Sequence, residues 1–144
     1  MDPLEQAVLA SNAAFYQAFA AHDFPAMSAL WATEAPVACV HPGMGVLVGR
    51  AAVLASWRGI LGHPNAPVVR CMSAVAHVLG TSAFVTCLEG HTERPALCAT
   101  NVFVLERGRW RLVHHHSGPL SAGASQSSPP PPTEPPPSTP PRWN

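Results

Sequence analysis

The feature that most constrains the fold is a change of hydrophobic period near the middle of the chain. Before it, apolar residues recur three and four positions apart, as on one face of a helix: Val53, Leu54, Trp57, Ile60 and Leu61. A loop broken by two prolines follows at 63–67, and from there apolar and polar residues alternate in strand-like segments at 68–79, 83–89, 96–106 and 109–117. Breaks of hairpin length separate these segments, so the second half is predicted to be an antiparallel meander.

The first half carries the sequence marks of two earlier helices and a short strand pair. Asp2 followed by Pro3 combines an N-cap with a proline at the first helical position, which predicts a helix over 3–21. Asp23 is expected to cap a second helix that ends near residue 32. The segments 36–43 and 46–48 read as short strands. Three helices and a long curved sheet predict the α+β class, with the helices packed on one face of the sheet.

Composition excludes several classes of partner. Hydrophobic residues make up 47% of the chain and charged residues 11%, yet no apolar run is long enough to span a membrane. Eight arginines balance eight acidic residues and lysine is absent, so neither a membrane nor a nucleic-acid partner is predicted. The acidic start has no signal-peptide pattern, which predicts a cytoplasmic location.

The cysteines are widely spaced and form no C-x-x-C pair. We therefore expect Cys39, Cys71, Cys87 and Cys98 to be buried free thiols that behave as small hydrophobic side chains.

The chain is predicted to divide into a folded domain, 1–117, and a tail, 118–144. The tail holds ten prolines and five serines but only two charged residues, Glu134 and Arg142. Such a composition cannot form a core, so a disordered, polyproline-leaning tail is expected. Recognition by a proline-reading domain is the alternative interpretation.

The last predicted strand carries three consecutive histidines. Strict alternation along it puts one set of side chains on a single face, namely Trp110, Leu112, His114 and His116, and sends Arg111, Val113 and His115 to the other. A pocket histidine with a pKa near neutrality suits acid–base chemistry. We therefore take His114, His116 and the strand-end His41 as candidate catalytic residues. The alternative is that they line the wall of a pocket without catalysing a reaction.

Metal binding is not predicted. The middle histidine of three on a regular strand points away from its neighbours, and no carboxylate with ligand-like spacing accompanies them. No metal and no cofactor are therefore expected. Asn101 is the other polar residue in an apolar strand, and alternation leaves open whether it faces the pocket or a partner subunit.

Several short motifs together carry a family resemblance across residues 4–117. They are Leu30-Trp31, Val40-His41-Pro42-Gly43, Gly49-Arg50, Ser56-Trp57, Thr100-Asn101-Val102-Phe103 and the segment Gly108–Ser117. In these motifs and in its order of elements, the chain resembles the nuclear transport factor 2-like superfamily, in particular its SnoaL-like branch, and is similar to the association domain of the calcium/calmodulin-dependent kinase. The resemblance implies a cone-shaped α+β barrel that dimerises through the exposed face of its sheet, with the cone as the site.

The aspartate chemistry of the family's enzymes does not carry over. Asp2 and Asp23 are the only aspartates, and helix capping explains both; Tyr16 is the only tyrosine. The sequence instead predicts a homodimer that holds a small, largely apolar molecule in the cone. The side chains expected to contact it are Trp31, His41, Trp57, Phe84, Asn101, Trp110, His114 and His116. The alternatives are a lyase, isomerase or hydrolase that uses a histidine, and an interaction module whose tail recruits a partner.

Overall fold

Three helices precede most of a six-stranded sheet in the computed structural model, which describes residues 1–121. The helices are α1 (Pro3–Ala20), α2 (Phe24–Leu30) and α3 (Arg50–Gly62), and the strands are β1 (Ala38–Val40), β2 (Leu47–Val48), β3 (Arg70–Leu79), β4 (Ser82–Gly90), β5 (Leu97–Glu106) and β6 (Arg109–Pro119). These elements confirm the predicted α+β order. No helix in the described part of the chain has the length and apolar character needed to cross a membrane.

The predicted caps form at both early helices. The Asp2 carboxylate accepts a hydrogen bond from the Leu4 backbone N–H at 2.8 Å, and that of Asp23 accepts one from Ala26 at 3.0 Å. These carboxylates satisfy backbone donors that have no partner within the helix. Local chemistry thus sets where α1 and α2 begin.

The strands form one sheet in the order β2-β1-β6-β5-β4-β3. Strand β1 runs parallel to β6, and every other neighbouring pair is antiparallel. This mostly antiparallel sheet packs one face on the helices, as the predicted cone fold requires. Strand β6 continues to Pro119, past the predicted domain boundary at residue 117. The part of the predicted tail from residue 122 onward lies outside the described residues.

Aromatic side chains dominate the core between the helices and the inner face of the sheet. Phe15 of α1 meets Trp57 of α3 edge to face, with ring centroids 5.3 Å apart, and Phe19 meets the same indole at 5.0 Å. Such edge-to-face pairs favour packing beyond the apolar area that they bury. These contacts join α1 and α3 at one end of the core.

A β-bulge in β6 overturns the predicted alternation of the histidines. Val102 pairs with His114 while Phe103 pairs with Leu112, so Val113 is an extra residue opposite the regular β5. One extra residue exchanges the faces of everything that follows it. His115 therefore turns inward and is 2% exposed, while His114 and His116 face outward; the predicted placement of all three was wrong.

The chain between α2 and β1 is fastened to the end of β5. The Glu106 carboxylate accepts hydrogen bonds from the backbone N–H groups of Thr33, Glu34 and Ala35 and from the Thr33 hydroxyl, at 3.0–3.2 Å. Four donors around one carboxylate hold its pKa at about 2, mainly through the Thr33 N–H. Glu106 thereby anchors the segment that leads into the cone.

All four cysteines are free, but their burial differs. Cys39 and Cys87 are buried as expected, Cys71 is half-buried, and Cys98 is exposed on the outer face of the sheet. The prediction of burial was therefore wrong for Cys98, because its neighbours Leu97 and Ala99 belong to the other face of the strand.

Candidate functional site

A cavity of about 250 Å³ opens between α1, α3 and the inner face of the sheet. We call it the cone cavity; its lining is mostly apolar and consists of Phe19, His41, Pro42, Trp57, Ile60, Pro67, Val69, Glu89, His91, Leu97 and His115. Drug-sized pockets span roughly 300–1,000 Å³. The cone cavity therefore suits a small molecule, with four polar side chains among apolar walls.

His115 is the deepest of these polar side chains. Its Nδ1 lies 2.5 Å from Asn101 Oδ1, and its ring centroid lies 4.9 Å from that of Phe15. Burial, followed by the neighbouring imidazole of His41, lowers the pKa of His115 to about 3. The side chain is therefore a neutral imidazole at physiological pH.

Asn101 fixes how His115 is protonated. Its amide nitrogen donates to Asn12 Oδ1 at 2.8 Å and to the Tyr16 hydroxyl at 3.2 Å, so both amide hydrogens are used. Its oxygen is then left as an acceptor, and His115 must donate from Nδ1. Asn101 thus lies behind the cavity wall, where it orients the imidazole.

Glu89 is buried against two hydroxyl groups. The Tyr16 hydroxyl donates to Oε2 at 2.7 Å, and the Ser117 hydroxyl donates to Oε1. Burial, together with the negative charge of Glu89, raises the pKa of Tyr16 well above its usual value. The tyrosine therefore stays protonated and holds the carboxylate in place.

His41 lies just beyond the end of β1 and also lines the cavity. Its Nε2 lies 2.9 Å from Ser56 Oγ, and burial lowers its pKa. The ring centroids of His41 and His115 are 6.4 Å apart. Two imidazoles thus approach the same space from neighbouring strands.

The structure brings only some of the predicted contact residues to this cavity. His41 and Trp57 line it, and Asn101 supports His115 from behind. Trp31 and Trp110 are buried in the core and do not belong to the lining.

Three predicted contact residues lie on the outer face of the sheet, so their expected place in the cone was wrong. The Phe84 ring stacks on His77 at 4.5 Å, and His114 Nδ1 contacts the Ala38 carbonyl oxygen at 2.9 Å. His116 lines a shallow outer groove together with Val75 and Thr100. The regular pairing of β4 with β5 turns Phe84 outward, and the bulge in β6 turns the two histidines.

Sequence reasoning missed His115, Glu89, Tyr16 and Ser117 as members of the site. In the sequence, Glu89 and Arg94 flank a hairpin end, a position that favours a surface ion pair over a buried site. The sequence feature that could have indicated them is Asn101, a polar residue on the same face of its strand as Ala99 and Phe103. A polar side chain on a buried strand face needs polar partners. Within residues 1–121, no three histidine, cysteine or acidic side chains are grouped to hold a metal ion.

Comparison with known proteins assigns the family. The SnoaL-like domain model matches residues 8–121. A provisionally assigned dehydratase of the NTF2-like family from Streptomyces avermitilis is 34% identical, covers 81% of this chain and 96% of its own, and superposes with a TM-score of 0.72. A provisionally assigned calcium/calmodulin-dependent protein kinase type II association domain from Thiobacillus denitrificans is 36% identical over 78% of this chain and 94% of its own, with a TM-score of 0.66.

A curated plant protein is also similar to this chain. The F-box protein SKIP8 of Arabidopsis thaliana is 26% identical over 113 residues, which are 78% of this chain. The chain spans about half, 49%, of the length of that protein. With its three helices, its mixed sheet and its match over residues 8–121, the chain belongs to the SnoaL-like domain family of the NTF2-like superfamily.

Proposed function

We propose that this domain binds a small, largely apolar molecule in the cone cavity. The observation that carries the proposal is a partly open cavity with apolar walls into which His41, His115 and Glu89 converge. Apolar walls supply binding energy, while a few oriented polar groups set the position of the ligand. Because Asn101 and Tyr16 hold these groups in place from behind, little would have to be ordered on binding.

Native mass spectrometry of freshly purified protein tests the proposal directly. We expect part of the wild-type protein to carry a small-molecule mass increment. Leu97→Trp would fill the cavity from the start of β5 and should abolish the increment. Leu105→Trp is the matched control, because Leu105 is 42% exposed near the other end of the same strand. A bound mass that survives Leu97→Trp would contradict binding in the cone.

A proton-transferring enzyme is the second candidate function. His115 presents a neutral imidazole beside the cavity, and the Streptomyces protein that is 34% identical is provisionally assigned as a dehydratase. In a dehydration of a β-hydroxy ketone, His115 Nε2 would take the α-proton and return it to the leaving hydroxyl. The products are then an enone and water, and the imidazole is regenerated.

This second candidate is tested with small apolar β-hydroxy ketones by following enone formation by NMR. If His115 is the base, His115→Asn should slow turnover by about 10²- to 10⁴-fold. His114→Asn, on the outer face, should leave the rate unchanged. If the wild-type protein catalyses no turnover, the proposed enzyme activity is contradicted, and ligand binding remains the proposed function.

We further propose a homodimer formed through the outer face of β3–β6. Apolar side chains line this face, including Val75, which is 51% exposed, and the half-buried Val102 and Val104. Exposed apolar side chains grouped on a sheet face of a folded domain are typical of an interface. The S. rosetta CaMKII hub has a similar fold, at 20% identity and a TM-score of 0.67.

Sedimentation equilibrium distinguishes a dimer from a monomer. Val102→Arg should yield monomers, because a buried guanidinium without a partner opposes association. Val48→Arg, at a 71% exposed site on β2, should keep the wild-type mass. A wild-type protein that sediments as a monomer would contradict the dimer.

We also propose that the predicted domain, extended from residue 117 to the end of β6 at Pro119, forms the functional unit, that the residues after it serve as a tail, and that the protein acts in the cytoplasm. The free state of all four cysteines is consistent with a reducing compartment. Imaging of a fluorescent fusion tests the location.

A further inference from the structure

We infer that the cone cavity selects its ligand by hydrogen-bond donors, and so takes a small apolar alcohol or amine in preference to a ketone or carboxylate. This inference rests on the proposed binding function and names the ligand class of the same site. It follows from the direction of each hydrogen bond around the cavity.

His115 presents an acceptor. Its Nδ1 hydrogen is committed to Asn101 Oδ1, since both hydrogens of the Asn101 amide go to Asn12 and Tyr16. A neutral imidazole has one N–H, so Nε2 carries a lone pair. No described residue hydrogen-bonds this nitrogen, and its lone pair is left for the ligand.

His41 also presents an acceptor, by a separate chain of bonds. The Ser56 hydroxyl donates its single hydrogen to the Val53 carbonyl oxygen at 2.7 Å. Ser56 Oγ must therefore accept from His41 Nε2, which lies 2.9 Å away. The neutral His41 ring then keeps a bare Nδ1.

The remaining polar side chains of the lining have the same character. Glu89 accepts one hydrogen from Tyr16 and one from Ser117, and each carboxylate oxygen retains a second lone pair. At the rim, His91 Nδ1 contacts the Val68 carbonyl oxygen at 3.1 Å, so in its neutral form its Nε2 is also an acceptor.

The one indole donor in the lining is not available to a ligand. Among the described residues, the Nε1 atoms of Trp31 and Trp57 are the side-chain nitrogens that are both fully enclosed and without a partner. The nitrogens without a partner in the two histidines, Nδ1 of His41 and Nε2 of His115, are not enclosed in this way. Both residues line the cavity. The polar side chains thus offer the cavity acceptors and no accessible donor.

Donors on the ligand are therefore required to satisfy the site. An alcohol or ammonium group can donate to His41, His115 or Glu89, whereas a ketone brings a further acceptor. A carboxylate adds like charge beside Glu89 in a space of low dielectric. Unpaired polar groups left by the wrong ligand reduce affinity, which is the basis of selectivity at such sites.

Three probes of similar size test the inference: 1-phenylethanol, 1-phenylethylamine and acetophenone, with benzoate as the anion. Binding is measured by chemical-shift titration of the whole protein. We expect the alcohol or the amine to bind about 2- to 10-fold more tightly than the ketone, and benzoate to bind weakest. Glu89→Gln distinguishes the amine from the alcohol. It should weaken binding of the charged ammonium probe more than binding of the alcohol, because it removes the carboxylate charge.

Matched variants assign the effect to single nitrogen atoms. His115→Asn keeps a donor toward Asn101 but removes the Nε2 acceptor, whereas His115→Gln keeps an acceptor at the Nε2 position. His41→Gln keeps the donor toward Ser56 and removes the Nδ1 acceptor. We expect His115→Asn or His41→Gln to weaken alcohol binding about 2- to 10-fold, and so to reduce or reverse the preference for the alcohol over the ketone.

The outcomes separate this inference from the proposal beneath it. If acetophenone binds as well as 1-phenylethanol and Leu97→Trp blocks both, the donor rule is overturned while binding in the cone stands. If no probe binds, or if all bind equally to Leu97→Trp, the proposed binding function falls as well.

Discussion

Asn101 Oδ1 accepts a hydrogen bond from His115 Nδ1 at 2.5 Å, across the pairing of β5 with β6. The same amide donates to Asn12 and Tyr16, so one fully buried side chain serves three partners from two elements. Such networks stabilise a unique arrangement only when every member is satisfied.

Asn101→Ala should therefore destabilise the domain more than its size suggests. The substitution leaves two side-chain atoms in the core without hydrogen-bond partners, the Nδ1–H of His115 and Oδ1 of Asn12. We expect the free energy of unfolding to fall by about 1–3 kcal/mol, measured by urea denaturation. Gln17→Ala, which removes an exposed amide on α1, is the control and should change it by less than about 0.5 kcal/mol. Equal effects of the two substitutions would contradict the network.

Tyr16 provides a spectroscopic test, because it is the only tyrosine in the chain. Burial and the charge of Glu89 raise its pKa, so the folded protein should show no tyrosinate absorbance near pH 10, where a free phenol ionises. Stability linked to this group is present below about pH 10 and is lost as the pH rises further. The tyrosinate band should then appear together with alkaline unfolding, as followed by circular dichroism. A band that appears near pH 10 while the fold persists would contradict the buried hydroxyl.

His115 predicts a loss of stability in mild acid. Its folded pKa of about 3 lies below the ordinary value of 6.5, so the unfolded chain binds the proton first as the pH falls. The associated stability is complete above about pH 6.5 and declines toward pH 3, by up to about 1.4 kcal/mol per pH unit. In urea titrations between these limits, the wild-type protein should lose more stability than His115→Asn. Parallel pH profiles would show that the imidazole is not held neutral.

The order of elements could be read from the sequence because local chemistry determines it. Asp2 and Asp23 cap their helices as expected, and the change of period after Gly62 marks where the helices end and the meander begins. The strands at 70–79, 82–90 and 97–106 agree closely with the predicted segments, since buried and more exposed positions alternate through most of each strand.

The composition of the site could not be read in this way, because it depends on one extra residue. Val113 is an ordinary strand residue, and nothing in its type marks a bulge; only its pairing opposite Val102 and Phe103 reveals it. Alternation was correct as far as Leu112 and wrong from His114 onward. Glu89 escaped notice for a related reason, since its partners Tyr16 and Ser117 are distant in sequence and meet it only after folding.

Glu106 predicts a second acid-sensitive point, distant from the cavity. Its carboxylate accepts hydrogen bonds from Thr33, Glu34 and Ala35, which hold its pKa at about 2 against an ordinary 4.5. The stability that it contributes is present above about pH 4.5 and is lost as the pH falls through 2. Glu106→Gln turns an amide donor toward backbone N–H groups, so its melting temperature at neutral pH should fall below that of the wild type.

Glu93→Gln is the matched control for Glu106→Gln, since Glu93 is an exposed loop residue whose carboxylate accepts no hydrogen bond from the described part of the chain. Its melting temperature should equal that of the wild-type protein. Because Glu106→Gln has already lost the favoured carboxylate, its stability should also fall less steeply than that of the wild type between about pH 4.5 and 2. Coincident melting curves for the two variants at neutral pH would mean that Glu106 does not hold the segment that leads into the cone.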